Sequence, residues 1–250
     1  MIKRNYYKIV RIFPDPSSYF YIKNETMNEI NTGLFVFNPE RLGEMTLDYS
    51  FDKINWIRVD GYNNTIWIPA DGYMYLRNTT GVFAASYIQP FAPSGNISLG
   101  GDIRTLFNYT DVDSITKIPD FGFYSPFAFQ SGSKCIDISN LSFRGITEIG
   151  NYGLGGAFSG SSFTETKGVD LRDVTTLGDG ALNNLYSDNT NLTEAYAPNV
   201  STWDANKTVQ WLYNVASTGV LYKPSNLEIP TNDSSGIPSS SWTTQDYPTK

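Results

Sequence analysis

Histidine is absent from this chain of 250 residues, and cysteine occurs once. Without histidine the commonest general base near neutral pH is missing, together with any Ser-His-Asp triad and any histidine-dependent zinc site. A single thiol, Cys135, excludes an internal disulfide. Charge is also sparse, and 25 acidic against 18 basic residues leave a net charge of −7 with no Lys/Arg cluster able to follow a phosphate backbone. Nucleic acid is therefore not an expected partner. Long apolar runs are lacking too. Lys3 and Arg4 are followed by Pro14, Asp15 and Pro16 before a signal-peptide core can accumulate, so the sequence predicts no export signal, no transmembrane segment and no membrane insertion. Gly150, Gly153, Gly155 and Gly156 do not link a strand to a helix, so they read as tight corners rather than a phosphate loop.

What the chain does contain is a phrase that returns three times. It opens with an apolar-Thr-x-apolar step at Ile115-Thr116-Lys117-Ile118, Ile146-Thr147-Glu148-Ile149 and Val174-Thr175-Thr176-Leu177, starts that lie 31 and 28 residues apart. An aromatic anchor follows each at Ala128-Phe129, Ala157-Phe158 and Leu185-Tyr186, and then an apolar position at Cys135, Phe163 or Leu192, spaced 28 and 29 residues apart. A period of this length describes one short strand and a return segment, whose apolar face is covered only by the next copy. The spacing predicts a three-coil solenoid with Cys135, Phe163 and Leu192 in one buried column. Cys135 then stands where the other copies carry Phe and Leu, as a small apolar residue rather than a reactive thiol.

The first hundred residues follow another rhythm. Short runs rich in aromatic and β-branched residues at 6–13, 19–22, 34–37, 45–51, 65–68 and 74–76 are separated by Asn, Asp, Gly and Pro. This punctuation predicts an antiparallel sandwich, with Trp56 and Trp67 packed between its sheets. Residues 89–101, which carry Pro90, Pro93, Gly95, Gly100 and Gly101, read as the junction. The expected division is a sandwich over 1–98, with 1–13 as a docking arm, and a repeat unit with a C-terminal cap and polar tail over 99–250.

Specific phrases carry a resemblance. Leu47-Asp48-Tyr49-Ser50-Phe51-Asp52 through Trp56, and then Gly72-Tyr73-Met74-Tyr75-Leu76-Arg77, are similar to an Ig-like module. Ser94-Gly95-Asn96-Ile97 resembles that module's exit into repeats, Leu185-Tyr186-Ser187-Asp188-Asn189-Thr190-Asn191-Leu192-Thr193 resembles a repeat, and Trp211-Leu212-Tyr213-Asn214-Val215 with Gly219-Val220-Leu221-Tyr222-Lys223-Pro224 resembles a closing segment. In this order they look like the BspA-type leucine-rich repeat proteins of gut Bacteroidetes and their phages. The resemblance implies a mainly β fold, an N-terminal Ig-like β-sandwich followed by a short leucine-rich-repeat solenoid. The repeats here are longer than the usual unit for that class and only three are recognisable.

The resemblance, joined to the predicted lack of an export signal, implies a structural or accessory protein of a phage virion, assembled in the host cytoplasm. Its N-terminal half would dock onto other virion proteins and its repeats would face a host surface glycan or protein, with self-association into a homo-oligomer left open. A bacterial cell-surface adhesin for glycoproteins is the alternative, and a polysaccharide depolymerase a minor one. Asp170 with Asp173, or Asp111 with Asp113, are the nearest to a glycosidase pair, but such local pairs more often shape turns. Asp111-Val112-Asp113 lacks the Gly and the distal Glu of a calcium loop. No catalytic residue, metal or cofactor is expected. Asn-x-Ser/Thr triplets such as Asn78-Thr79-Thr80 read as turn composition. Trp203 and Trp211 are the expected exposed ligand-contact aromatics, able to stack on sugar rings.

Overall fold

The computed structural model describes residues 19–34, 47–59, 64–78, 91–127, 129, 132–164, 166–232, 234–238 and 241–248. The expected docking arm at 1–13 lies outside the described residues. The fold is mainly β, with one four-residue helix and two 3-10 turns among the described residues. None of their helices is long and apolar enough to cross a membrane.

The N-terminal half contains β1 (Phe20–Asn24), β2 (Ile30–Leu34), β3 (Leu47–Ser50), β4 (Ile57–Val59), β5 (Asn64–Ile68), β6 (Tyr73–Asn78), β7 (Phe91–Pro93) and β8 (Ile97–Asp102), followed by the helix α1 (Thr105–Asn108). The strands form two sheets, one ordered β5-β2-β7 and the other β8-β1-β6-β3-β4 with a later strand added beside β8. Alternation decides which side chains face inward. Phe20 and Ile22 lie opposite Leu76 and Met74, and all four are fully buried. The Phe20 ring stacks on Phe91 of β7, so the inner faces of the two sheets meet.

The opposite face of β1 and β6 is aromatic and charged. Tyr21 lies across Gly100 of β8, where a Cβ would collide with its ring. Asp48 pairs with both Arg58 and Arg77, and the Arg77 guanidinium lies 4.0 Å from the Trp56 ring and 4.2 Å from Tyr109. Trp56 is thus half-buried on the outer face rather than packed between sheets. Trp67 also departs from expectation and is 52% exposed, because its neighbours Ile66 and Ile68 occupy the inward positions of β5. Burial pushes the phenols of Tyr21 and Tyr75 up from 10.0 to about 12, with the neighbouring Tyr73 ring adding to the shift in both. Protons held in the folded state but released by the unfolded chain make stability complete below pH 10.0 and lost as pH rises towards about 12. The melting temperature should therefore fall steeply across that window. A flat profile there would contradict the burial of these rings.

The second half adds β9 (Lys117–Ile118), β10 (Cys135–Ser142), β11 (Glu148–Ile149), β12 (Thr176–Leu177), β13 (Glu194–Tyr196), β14 (Thr218–Lys223) and β15 (Ser241–Asp246). Residues 117–246 wind into a β-solenoid-like arrangement. The three Thr phrases become the parallel sheet β9-β11-β12, with Lys117, Glu148 and Thr176 in one register and Ile118, Ile149 and Leu177 in the next. Beside them Asp120 accepts from the Asn151 backbone and side chain at 2.9 and 3.0 Å, and Asn151 accepts from Asp179 at 2.8 Å.

The return segments are ladders of turns. The N–H groups of Tyr152, Leu154, Gly156, Phe158 and Gly160 donate to the carbonyls of Asp179, Ala181, Asn183, Leu185 and Ser187 in the next coil. Left-handed residues recur every fourth position, at Tyr152, Gly156 and Gly160 and again at Gly180, Asn184 and Asp188. Gly, Asn and Asp supply five of these six positions because they tolerate that conformation best, and Tyr152 is the exception. Phe158 stacks on Tyr186 at 6.0 Å and meets Phe123 of the preceding coil. Phe129 is not the matching anchor and stacks on Phe127 instead.

Cys135, Phe163 and Leu192 are each at most 1% exposed. The Cys135 carbonyl accepts from the Ser162 N–H, and the Phe163 carbonyl from the Asn191 side chain. Burial pushes the Cys135 thiol up, which keeps it protonated. Leu192→Ala should cost about 2 to 5 kcal/mol, as deletion of a buried leucine does, measurable by urea denaturation.

Two expectations are corrected. The division at 98/99 falls inside β8, and β10 pairs in parallel with β8, so the repeat half shares a sheet and a hydrophobic core with the N-terminal half. The winding also does not stop at three coils. β14 pairs in parallel with β13, and β15 with β14 over six residues, so the expected cap and polar tail contain two further strands of the stack.

Candidate functional site

The second parallel sheet ends in a row of corners. β13 runs into Ala197-Pro198-Asn199, β14 into Pro224-Ser225-Asn226, and β15 into Tyr247-Pro248. Proline cannot donate to the ladder, so the chain leaves the sheet at each of these points. Stacked one above another, and joined by Arg172 from the preceding corner, they line an open cleft of about 380 Å³ at the carboxyl ends of the strands. Loop residues gather where parallel strands end, and crevices at such ends commonly hold ligands.

The frame is fixed by internal bonds. Arg172 places Nε and Nη2 on Asp170, the latter at 2.6 Å, and Nη1 on the Pro248 carbonyl at 2.9 Å. Its guanidinium also lies 5.3 Å from the Tyr196 ring, which stacks on Tyr222 at 5.0 Å. The Tyr247 hydroxyl donates to the Ala197 carbonyl at 2.6 Å. Burial first, and then the Asp170 charge, push this phenol up, so it remains a neutral donor.

The rest of the lining is loosely engaged. Lys223 reaches only the Pro224 carbonyl at 3.4 Å. Asp246 lies opposite Lys223 in the β14–β15 register, yet the two form no ion pair among the described residues. Asn199, Ser225 and Asn226 present amides and a hydroxyl on exposed corners. The pocket thus offers hydrogen-bond donors and acceptors, the paired cation Arg172, the cation Lys223 and the carboxylate Asp246, which suits it to holding a polar ligand.

The tryptophans expected to contact ligand lie elsewhere. Trp211 is fully buried and donates from Nε1 to the Gly236 carbonyl at 2.9 Å, so it is corrected from an exposed contact to a core residue. The reason is the later chain around Ser235 and Gly236, which packs against it. Trp203 is half-buried, packs 5.0 Å from the Trp211 ring and donates to the Ser235 carbonyl at 2.7 Å. It borders a second cavity of about 200 Å³ beside β12, together with Thr175, Val200 and Lys207. The nominated carboxylates are drawn into local contacts, Asp170 with Arg172 and the 98% exposed Asp113 with Arg104 at 3.4 Å.

Sequence reasoning missed the pocket, although a signal for it exists. Tyr196-Ala197-Pro198-Asn199 and Tyr222-Lys223-Pro224-Ser225 are one Tyr-x-Pro-polar corner written twice, 26 residues apart.

Comparison with models of known protein families, with curated proteins and with solved structures finds no match to this chain.

Proposed function

We propose that this protein is a non-enzymatic structural and recognition protein, an accessory component of a phage virion that docks through its N-terminal half and turns its coils outward. In this reading the N-terminal sheets are an Ig-like module and the coils a short leucine-rich-repeat array. The observation that carries it is the division of the surface. Phe51, Ile54 and Ile57, at 42, 80 and 50% exposure, sit on or beside β4, the edge strand of the larger sheet. Exposed apolar groups on and beside an edge strand favour a protein partner. Along the coils, by contrast, polar side chains stand in rows: Thr116, Thr147 and Thr175, then Asp120, Asn151 and Asp179. Such rows give a solenoid an extended contact face.

Mass spectrometry of purified virions is the direct test, with the protein expected at stoichiometric copy number. Ile54→Glu with Ile57→Glu should release it from particles while the melting temperature stays within a few degrees. Recovery only from bacterial outer-membrane fractions would replace the virion reading with the adhesin. Reducing-end release from a polysaccharide, abolished by one Asp or Glu substitution, would replace it with the depolymerase.

A further inference from the structure

We infer that the corner pocket bounded by Arg172, Asn199, Asn226, Asp246 and Tyr247 binds a neutral saccharide, as the terminal sugar of a glycan. This deepens the recognition reading above and rests on it. The polar groups are the first argument. Sugar hydroxyls donate and accept at once, and the side-chain amides of Asn199 and Asn226 do the same, while Asp246 can accept from two adjacent hydroxyls. None of these three side chains makes a hydrogen bond to another described residue, so none must break one to bind. Charge is the second argument. Lys223 and Asp246 face the same space from adjacent strands and offset each other, and the Arg172 cation in the lining is offset by its ion pair with Asp170, so an acidic sugar gains no net unpaired charge.

The walls supply the remainder. Tyr247 contributes an aromatic ring and Pro248 an apolar pyrrolidine to the lining, surfaces of the kind that the C–H face of a pyranose packs against. Both are held in place, Tyr247 through Ala197 and Pro248 through Arg172, so the wall itself needs no ordering by the ligand. A cavity of about 380 Å³ lies at the small end of the usual ligand range, which suits one or two sugar rings. Among the described residues Asp246 is the only carboxylate lining it, whereas glycoside cleavage ordinarily needs two, so the sugar is bound and not cut.

The test is a glycan array with the full-length chain, followed by saturation-transfer NMR with methyl glycosides of the sugars retained. Neutral terminal sugars should bind, Asp246→Asn should weaken binding about ten-fold or more, the effect of losing a hydrogen bond to a charged group, and Asn226→Ala should weaken it about five-fold, the effect of losing a neutral one. Both positions are exposed, so unchanged melting temperatures separate loss of contact from loss of fold. Lys223→Met should weaken binding less than either. Absence of neutral-sugar binding, binding indifferent to both variants, or a preference for sialylated or uronate glycans abolished by Lys223→Met would overturn the proposal. Zwitterionic amino acids competing at the same residues would do so too. Virion association is read separately, so its loss strikes the wider function and its persistence without sugar binding strikes the pocket alone.

Discussion

Trp211→Ala is expected to destabilise the protein by about 3 to 5 kcal/mol, the range for removing a large aromatic from a core. Trp211 is the largest fully buried side chain among the described residues. Three turns of chain meet on it. Its carbonyl accepts from the Tyr186 N–H at 3.0 Å, its own N–H bonds back to Thr208, and its indole donates to Gly236. Truncation leaves a cavity that these stacked coils cannot close, since each is tied to its neighbours by backbone bonds. Trp211→Phe keeps most of the volume and leaves the Gly236 carbonyl without its donor, a cost of about 1 to 3 kcal/mol. Urea denaturation of both variants separates the terms. Equal losses would mean the indole bond outweighs the packing.

The same residue explains part of what the sequence concealed. Trp211 stands among apolar neighbours of which Val209 and Tyr213 are exposed, and its cover is a carbonyl 25 residues downstream. Only the knowledge that another coil follows makes it a core residue. The Thr phrases were legible because each combines a strand-forming pattern with strict repetition, and they fall in register as read. That pattern fades after Leu177. Residues 199–204 approach the preceding coil through the Asn199 N–H on the Val174 carbonyl and then diverge without forming a strand. With the phrase gone, β14 and β15 read as a closing segment and a tail.

The pocket was hidden for a different reason. Each corner contributes ordinary turn residues, Pro-Asn or Pro-Ser-Asn, which only stacking brings around one space. Local alternation misled in its own way at Trp67, where a large aromatic invites a core assignment although Ile66 and Ile68 had already fixed the inward face.

Removal of residues 239–250 follows from the strand hidden in the tail, and it should change the state of association as well as the stability. β15 pairs with β14 over six residues, from Ser241 opposite Thr218 to Asp246 opposite Lys223. Trp242, at 8% exposure, donates to the Ala216 carbonyl at 2.7 Å. Without these residues β14 becomes a six-residue edge beside the buried Leu221, and Ala197 and Arg172 lose Tyr247 and Pro248. Among the described residues β15 is the edge of this sheet and carries Thr243, Thr244, Gln245 and Asp246 exposed to water, which makes that edge polar. An uncovered, flatter and more apolar edge is a template for pairing with a second chain. The truncated protein should therefore melt at lower temperature and run larger than the full-length chain in size-exclusion chromatography with light scattering. Trp242→Ala is the control, because it removes packing while leaving β14 covered, so it should lower the melting temperature without increasing the size. A truncated chain of unchanged size and unchanged melting temperature would mean that β15 contributes nothing to the stack.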